Sequence, residues 1–137
     1  MVNIPAEIKD ILEKAAPKYT VAVGTSSKDA VPNAVPVRFA KMIDDEHILI
    51  ADNFFLKTRK NLEENRQVTV AFWDQETRNG YQVKGTAKII TSGAIYEDTV
   101  NWVHSLSPKY KTKAAVLVKA DAVYNLKAGP DAGKKIL

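Results

Sequence analysis

From Thr20 onward the apolar residues recur mainly at every second position, and most segments with this period are separated by short turns. The period is clearest from Tyr81 to Thr91, where Tyr81, Val83, Gly85, Ala87 and Ile89 fall on one side and Gln82, Lys84, Thr86 and Lys88 on the other. One face of that strand is wet and the other is packed. The same reasoning predicts strands over Thr20 to Thr25, Val31 to Met42, His47 to Ala51, Gln67 to Asp74 and Ala114 to Leu126. About six strands with only three helices lack the strict β-α alternation of a doubly wound parallel sheet. The expected fold is mainly β, an antiparallel six-stranded barrel, its closure removing sheet edges and its helices capping the open ends.

Three segments switch to helical spacing. Ile8, Ile11, Leu12 and Ala15 follow Pro5, a good first-turn residue, and Pro17 ends their pattern. A short helix is expected from about Leu56 to Asn65. A third, from Ala94 to Leu106, carries Ile95, Thr99, Trp102, Val103 and Leu106 as its apolar stripe and is stopped by Ser107-Pro108. Residues 1–127 are thus expected to form one domain, and the Gly- and Lys-rich residues 128–137 a mobile C-terminal tail.

Pro32 and Pro36 interrupt the long strand. Two prolines cannot both donate to a central ladder, so this segment requires an edge, a bulge, or polar groups facing something other than a neighbouring strand, such as a ligand.

The chemistry concentrates in Phe54-Phe55-Leu56-Lys57-Thr58-Arg59-Lys60-Asn61-Leu62-Glu63-Glu64-Asn65. An oxyanion at a helix start meets unpaired backbone N–H groups and the positive end of the helix dipole, and Lys57, Thr58, Arg59 and Asn61 add side-chain donors. The ordinary alternative is an exposed face on which Lys57, Arg59, Lys60 and Arg66 balance Glu63 and Glu64, for instance by a Lys60–Glu64 pair. Position favours the anion seat, because cations normally gather at the opposite helix end.

Other chemistries find little support. There is no cysteine, the two histidines His47 and His104 stand apart, and no Gly-x-Ser-x-Gly occurs. Gly129-Pro130-Asp131-Ala132-Gly133-Lys134-Lys135 is one residue short of a nucleotide-binding loop and lacks the Ser or Thr after its lysine. No apolar run approaches the roughly 20 residues that span a bilayer, so no membrane association is expected. The N-terminus carries neither a basic leader nor an apolar core, which predicts a cytoplasmic protein. A net charge of +4 arises from 20 basic and 16 acidic residues interspersed along the chain, a weak signal for nucleic acid. Trp73, Tyr81, Trp102 and Tyr110 suit a core or interface, with one or two available to border a planar ring; Lys84 and Lys88 suit a solvated face or an anion-binding groove. A non-enzymatic barrel binding single-stranded nucleic acid is the competing reading.

In order, these residues resemble the FMN-binding split-barrel superfamily, which includes pyridoxamine 5'-phosphate oxidase and small FMN-binding flavoproteins. The resemblance rests on Pro32-Asn33-Ala34-Val35-Pro36-Val37-Arg38-Phe39, Ile48-Leu49-Ile50-Ala51-Asp52, Lys57-Thr58-Arg59-Lys60-Asn61-Leu62, Val68 to Trp73 and Gly80 to Ala87, and covers about Ile8 to Leu126. It implies a split β-barrel and a homodimer with FMN at the subunit interface, the phosphate on Lys57 and Thr58 near Asn61, and the isoalloxazine along Val35, Pro36 and Val37. Asp52 is implied as a contact to the ribityl chain or ring, and Gln82 as a residue facing the site. The implied function is a flavin-dependent oxidoreductase or electron-transfer protein with a small-molecule or protein redox partner. Some relatives bind a deazaflavin or haem instead. Full pyridoxamine phosphate oxidases continue into a substrate-binding C-terminal segment with Arg and His residues, whereas this chain ends in Gly133-Lys134-Lys135-Ile136-Leu137.

Overall fold

The computed structural model describes residues 2–137. Helix α1 (Ala6–Ala15) opens the chain, followed by a 3-10 turn at Ala16–Lys18. Then come strands β1 (Val21–Ser26), β2 (Pro32–Pro36), β3 (Ala40–Met42) and β4 (His47–Asp52), helix α2 (Lys57–Glu64), and strands β5 (Gln67–Trp73) and β6 (Gly80–Ile90). Helix α3 (Ala94–Leu106) and strand β7 (Ala114–Asn125) complete the order. The strands form one antiparallel sheet, β2-β1-β5-β6-β7-β4-β3, curled into a half-barrel.

The sheet has seven strands rather than six, because the expected strand from Val31 to Met42 is divided. Its first half pairs with β1, where Val37 N–H donates to the Val21 carbonyl (3.0 Å). Its second half pairs with β4, where the Phe39 carbonyl accepts from Ala51 N–H (3.0 Å). Between Val37 and Phe39 the backbone changes the side on which it is bonded. One segment thereby supplies both edges of the sheet and draws them together.

The prolines fit this arrangement. In an antiparallel pair the residues that exchange ladder bonds alternate. Ser27 N–H donates to Val31 C=O and Val37 N–H to Val21 C=O, so Val31, Asn33, Val35 and Val37 turn their backbones to β1. Pro32, Ala34 and Pro36 turn theirs outward, where a missing N–H costs no ladder bond.

The curled sheet encloses Val21, Val23, Ile48, Ile50, Val70, Phe72, Val83, Val116 and Val118. Ile8, Ile11, Leu12 and Ala15, the predicted apolar stripe of α1, close the same core. A second cluster, Phe39, Ala51 and Val103 with half-buried Trp102 and Tyr110, lies under α3. Of the predicted α3 stripe only Thr99 and Val103 are buried; Ile95 and Leu106 face solvent. Gly85 sits at a register shift in the β6–β7 pair, where a Cβ would approach the Lys119 carbonyl to 2.3 Å.

The C-terminal residues double back along β7. Gly133 N–H donates to Asn125 C=O (2.7 Å), Ile136 N–H to Val123 C=O (2.8 Å), and Val123 N–H to Leu137 C=O (3.0 Å). They occupy β7's side beyond its last β4 pairing, His47 with Lys119.

Candidate functional site

A cavity of about 370 Å³ lies between the outward edge of β2 and the start of α2. Val35, Pro36 and Val37 form one wall, Phe54 and Tyr110 another, and Lys57 with Thr58 one end. Its size falls within the range of small-molecule and cofactor pockets.

The helix start is uncapped, and the first turn of α2 contains no acid. The first ladder bond runs from Lys60 N–H to Leu56 C=O (3.1 Å), so the N–H groups of Lys57, Thr58 and Arg59 find no acceptor among the described residues. Arg59 Nε is also buried without a partner. The unpaired N–H groups of Lys57 and Thr58, the helix dipole and the Lys57 side chain lie at one end of the cavity, while the Arg59 side chain is turned to Asp52.

The segments around this end are tied down. Asp52, fully buried at the end of β4, accepts from Phe55 N–H (3.0 Å) through one carboxylate oxygen and from Arg59 Nη1 (2.9 Å) through the other. Lys113 Nζ lies 3.7 Å from the first oxygen and donates to the Phe55 carbonyl (2.7 Å). Thr112 Oγ1 donates to Asn53 Oδ1 (2.8 Å), which joins the loop before β7 to the turn before α2. On the helix, Thr58 Oγ1 accepts from Asn33 Nδ2 (3.0 Å) and Asn61 Nδ2 donates to Thr25 Oγ1 (3.1 Å). These two bonds dock α2 on β1 and β2.

Five residues expected at the site, Val35, Pro36, Val37, Lys57 and Thr58, line this one cavity. The other three are elsewhere. Asp52 lies beneath it, committed to Phe55 and Arg59, and Asn61 is turned to Thr25. Gln82 lines a separate groove on the sheet with Thr25, Asn33 and Lys84. Sequence reasoning missed Tyr19, Asn53 and Phe54 as lining residues, left Arg38 without a role, and named Tyr110 only among four aromatics that could border a planar ring. A signal for Phe54 was present in the sequence, an aromatic pair at a strand-to-helix junction whose first member has no periodic partner; in the structure Phe54 is 73% exposed. Its ring meets Tyr110 edge-on at 5.0 Å, a contact that only the fold creates.

Fold and cavity define a split-barrel protein with an uncapped, cationic helix start beside a proline-guarded strand edge. The family model for pyridoxamine 5'-phosphate oxidase matches residues 4–127, and the chain belongs to this family. An uncharacterised protein of Methanocaldococcus jannaschii is 39% identical over 132 residues, which cover 95% of this chain and 88% of that one. HupZ of Group A Streptococcus is 31% identical and superposes with a TM-score of 0.81 over 95% of this chain and 99% of its own. An FMN-binding protein of Syntrophomonas wolfei shares the fold, with a TM-score of 0.74 at 16% identity over 90% of each chain.

Proposed function

We propose that this protein binds FMN in the cavity between β2 and α2 and serves as a flavin-dependent oxidoreductase or electron-transfer protein. The observation that carries this reading is the pair of acceptor-free N–H groups at Lys57 and Thr58, placed beside an apolar wall of Val35 to Val37. The Lys57 ammonium and the helix start hold the phosphate, while Thr58 keeps α2 in place through Asn33. The outward carbonyl of Pro36, on the cavity wall, offers an acceptor of the kind a flavin edge requires. Phe54 and Tyr110 shield the ring from water. When bound, the flavin supplies the hydride or electron transfer, and the chain supplies binding, orientation and electrostatics.

The functional unit in this reading is a homodimer with the site at the subunit interface. Tyr19, Phe54 and Leu56 border the cavity and are 53%, 73% and 83% exposed, a cluster better suited to a covered surface than to water. A small molecule or a protein serves as redox partner. No helix among the described residues is long and apolar enough to cross a membrane.

The test is an absorption spectrum of freshly purified protein, followed by calorimetric titration with FMN and light scattering. A flavin spectrum or saturable FMN binding in a dimer is expected. A protein that takes up haem and refuses FMN overturns the proposal.

A further inference from the structure

Helix α1 and its 3-10 turn end in a tight reversal of the chain. Thr20 N–H donates to the Ala15 carbonyl and Tyr19 N–H to the Ala16 carbonyl, both at 3.1 Å. This pair of bonds requires a left-handed residue one position before the last donor. Tyr19 occupies that position, with φ 58° and ψ 29°. Glycine is the usual residue there, because a Cβ in the left-handed region crowds the following carbonyl. A bulky aromatic side chain is the costly choice.

Among the described residues two others are left-handed without being glycine, Ala30 and Arg78, with φ 65° and 64°. Both lie in hairpin connections, and neither lines the cavity between β2 and α2. Tyr19 does line it, and its side chain is poorly covered by the rest of the chain, since the residue is 53% exposed. Packing within the protein therefore offsets little of the backbone strain. What the ring offers instead is a contact to an occupant of the cavity.

The hydrogen bonds fix which end of the cavity the ring borders. At the Lys57 end, Thr58 Oγ1 accepts from Asn33 Nδ2 at 3.0 Å. Val37 N–H donates to the carbonyl of Val21, two residues after Tyr19, also at 3.0 Å. Asn33 and Val37 are four residues apart along extended backbone, a span of roughly 13 Å. Tyr19 thus stands beside the apolar Val37 end, away from the cationic helix start.

We propose that Tyr19 is a flavin-binding residue whose ring packs against the isoalloxazine at the Val37 end of the cavity, its left-handed backbone setting the direction in which the ring projects. This assignment rests on the FMN reading above and adds to it a contact that senses the ring system alone. Lys57, at the other end, senses the phosphate.

The test is calorimetric titration with FMN and with riboflavin, paired with denaturant unfolding of the ligand-free protein. Tyr19→Ala and Tyr19→Gly should each weaken both flavins about tenfold, while Tyr19→Phe, which keeps the ring, binds them like the parent. Both truncations lose the ring and only glycine relieves the backbone, so Tyr19→Gly should unfold at a higher denaturant midpoint than Tyr19→Ala. Ala30→Gly, which relieves a left-handed residue outside the cavity lining, should leave both affinities unchanged. A parent that refuses FMN removes the FMN reading, and this inference with it, before any variant is compared. With a parent that binds FMN, undiminished affinity in the two truncations, a loss that spares riboflavin, or equal midpoints for Tyr19→Ala and Tyr19→Gly overturns this inference alone. So does an altered oligomeric mass in the truncations, which would assign the ring to a contact between subunits.

Discussion

Asp52 and Arg59 join the end of β4 to the first turn of α2 through a 2.9 Å ion pair whose carboxylate is completely buried. The same carboxylate holds Phe55 N–H, so a single side chain fixes how α2 leaves the sheet. Removing one partner of a buried pair strands the other charge and is far more damaging than the pair is stabilising. Asp52→Ala is therefore expected to lower stability by about 3 kcal/mol in a chemical denaturation curve. FMN affinity should fall with it, because the helix start loses its anchor.

Lys57 has a different profile. It is exposed, pairs with no carboxylate and lines the cavity at the helix start. Lys57→Ala should leave the melting temperature unchanged and weaken FMN about tenfold or more, the value of one charge-assisted contact. Calorimetry with FMN and with riboflavin checks this, since only the phosphorylated ligand should sense the change.

Asn61 contributes through docking. Its amide donates to buried Thr25 Oγ1, so Asn61→Ala leaves that hydroxyl without its donor and detaches α2 from β1. A loss of about 1–2 kcal/mol is expected in thermal or denaturant unfolding.

Gly85 marks the tightest contact of the long β6–β7 pair. A Cβ there would lie 2.3 Å from the Lys119 carbonyl and 2.8 Å from Val118 Cγ1. Gly85→Ala should cost about 2–3 kcal/mol by overpacking against backbone that cannot rotate away. A drop in denaturation midpoint with an unchanged m-value checks this prediction.

Acid sensitivity should arise in part from the turn after β5. The Thr77 hydroxyl (2.9 Å) and the Glu76 N–H (3.1 Å) hold the Asp74 carboxyl below its ordinary value, with Lys14 and Lys18 adding to the effect against the opposing influence of burial. A lowered folded-state pKa gives stability that is fully present above the ordinary carboxylate value of about 3.9 and disappears as pH falls through the folded value. Thr77→Val should therefore reduce stability at neutral pH and flatten the acid limb of a stability-against-pH curve below about pH 4.

How much of the site could be read from sequence depended on the range of the interaction. Lys57 and Thr58 were legible because a helix start is a local event, signalled within a few residues by cations at the unfavourable end of a dipole. Val35 to Val37 were legible because proline declares that some backbone will go unpaired. Asp52, Asn61 and Gln82 were placed at the same site, yet their partners are Arg59, Thr25 and a second groove. Asp52 and Arg59 lie on different elements, so no periodicity links them. Gln82 stands with Lys84 on one face of β6, as the alternation predicts, and that face borders the groove with Thr25 and Asn33.

By itself the sequence determined the period-two strands, the three helices, the antiparallel character of the sheet and the charge at the start of α2. Those features follow from alternation, capping and breaker residues within a few positions. The tertiary structure alone decided that Val31 to Met42 divides at Arg38, that its halves pair with β1 and β4, and that Tyr110 arrives beside Phe54. The reason is that pairing of distant strands depends on long-range packing and on which side of the backbone each ladder uses, and hydrophobic periodicity records only which side chains are buried.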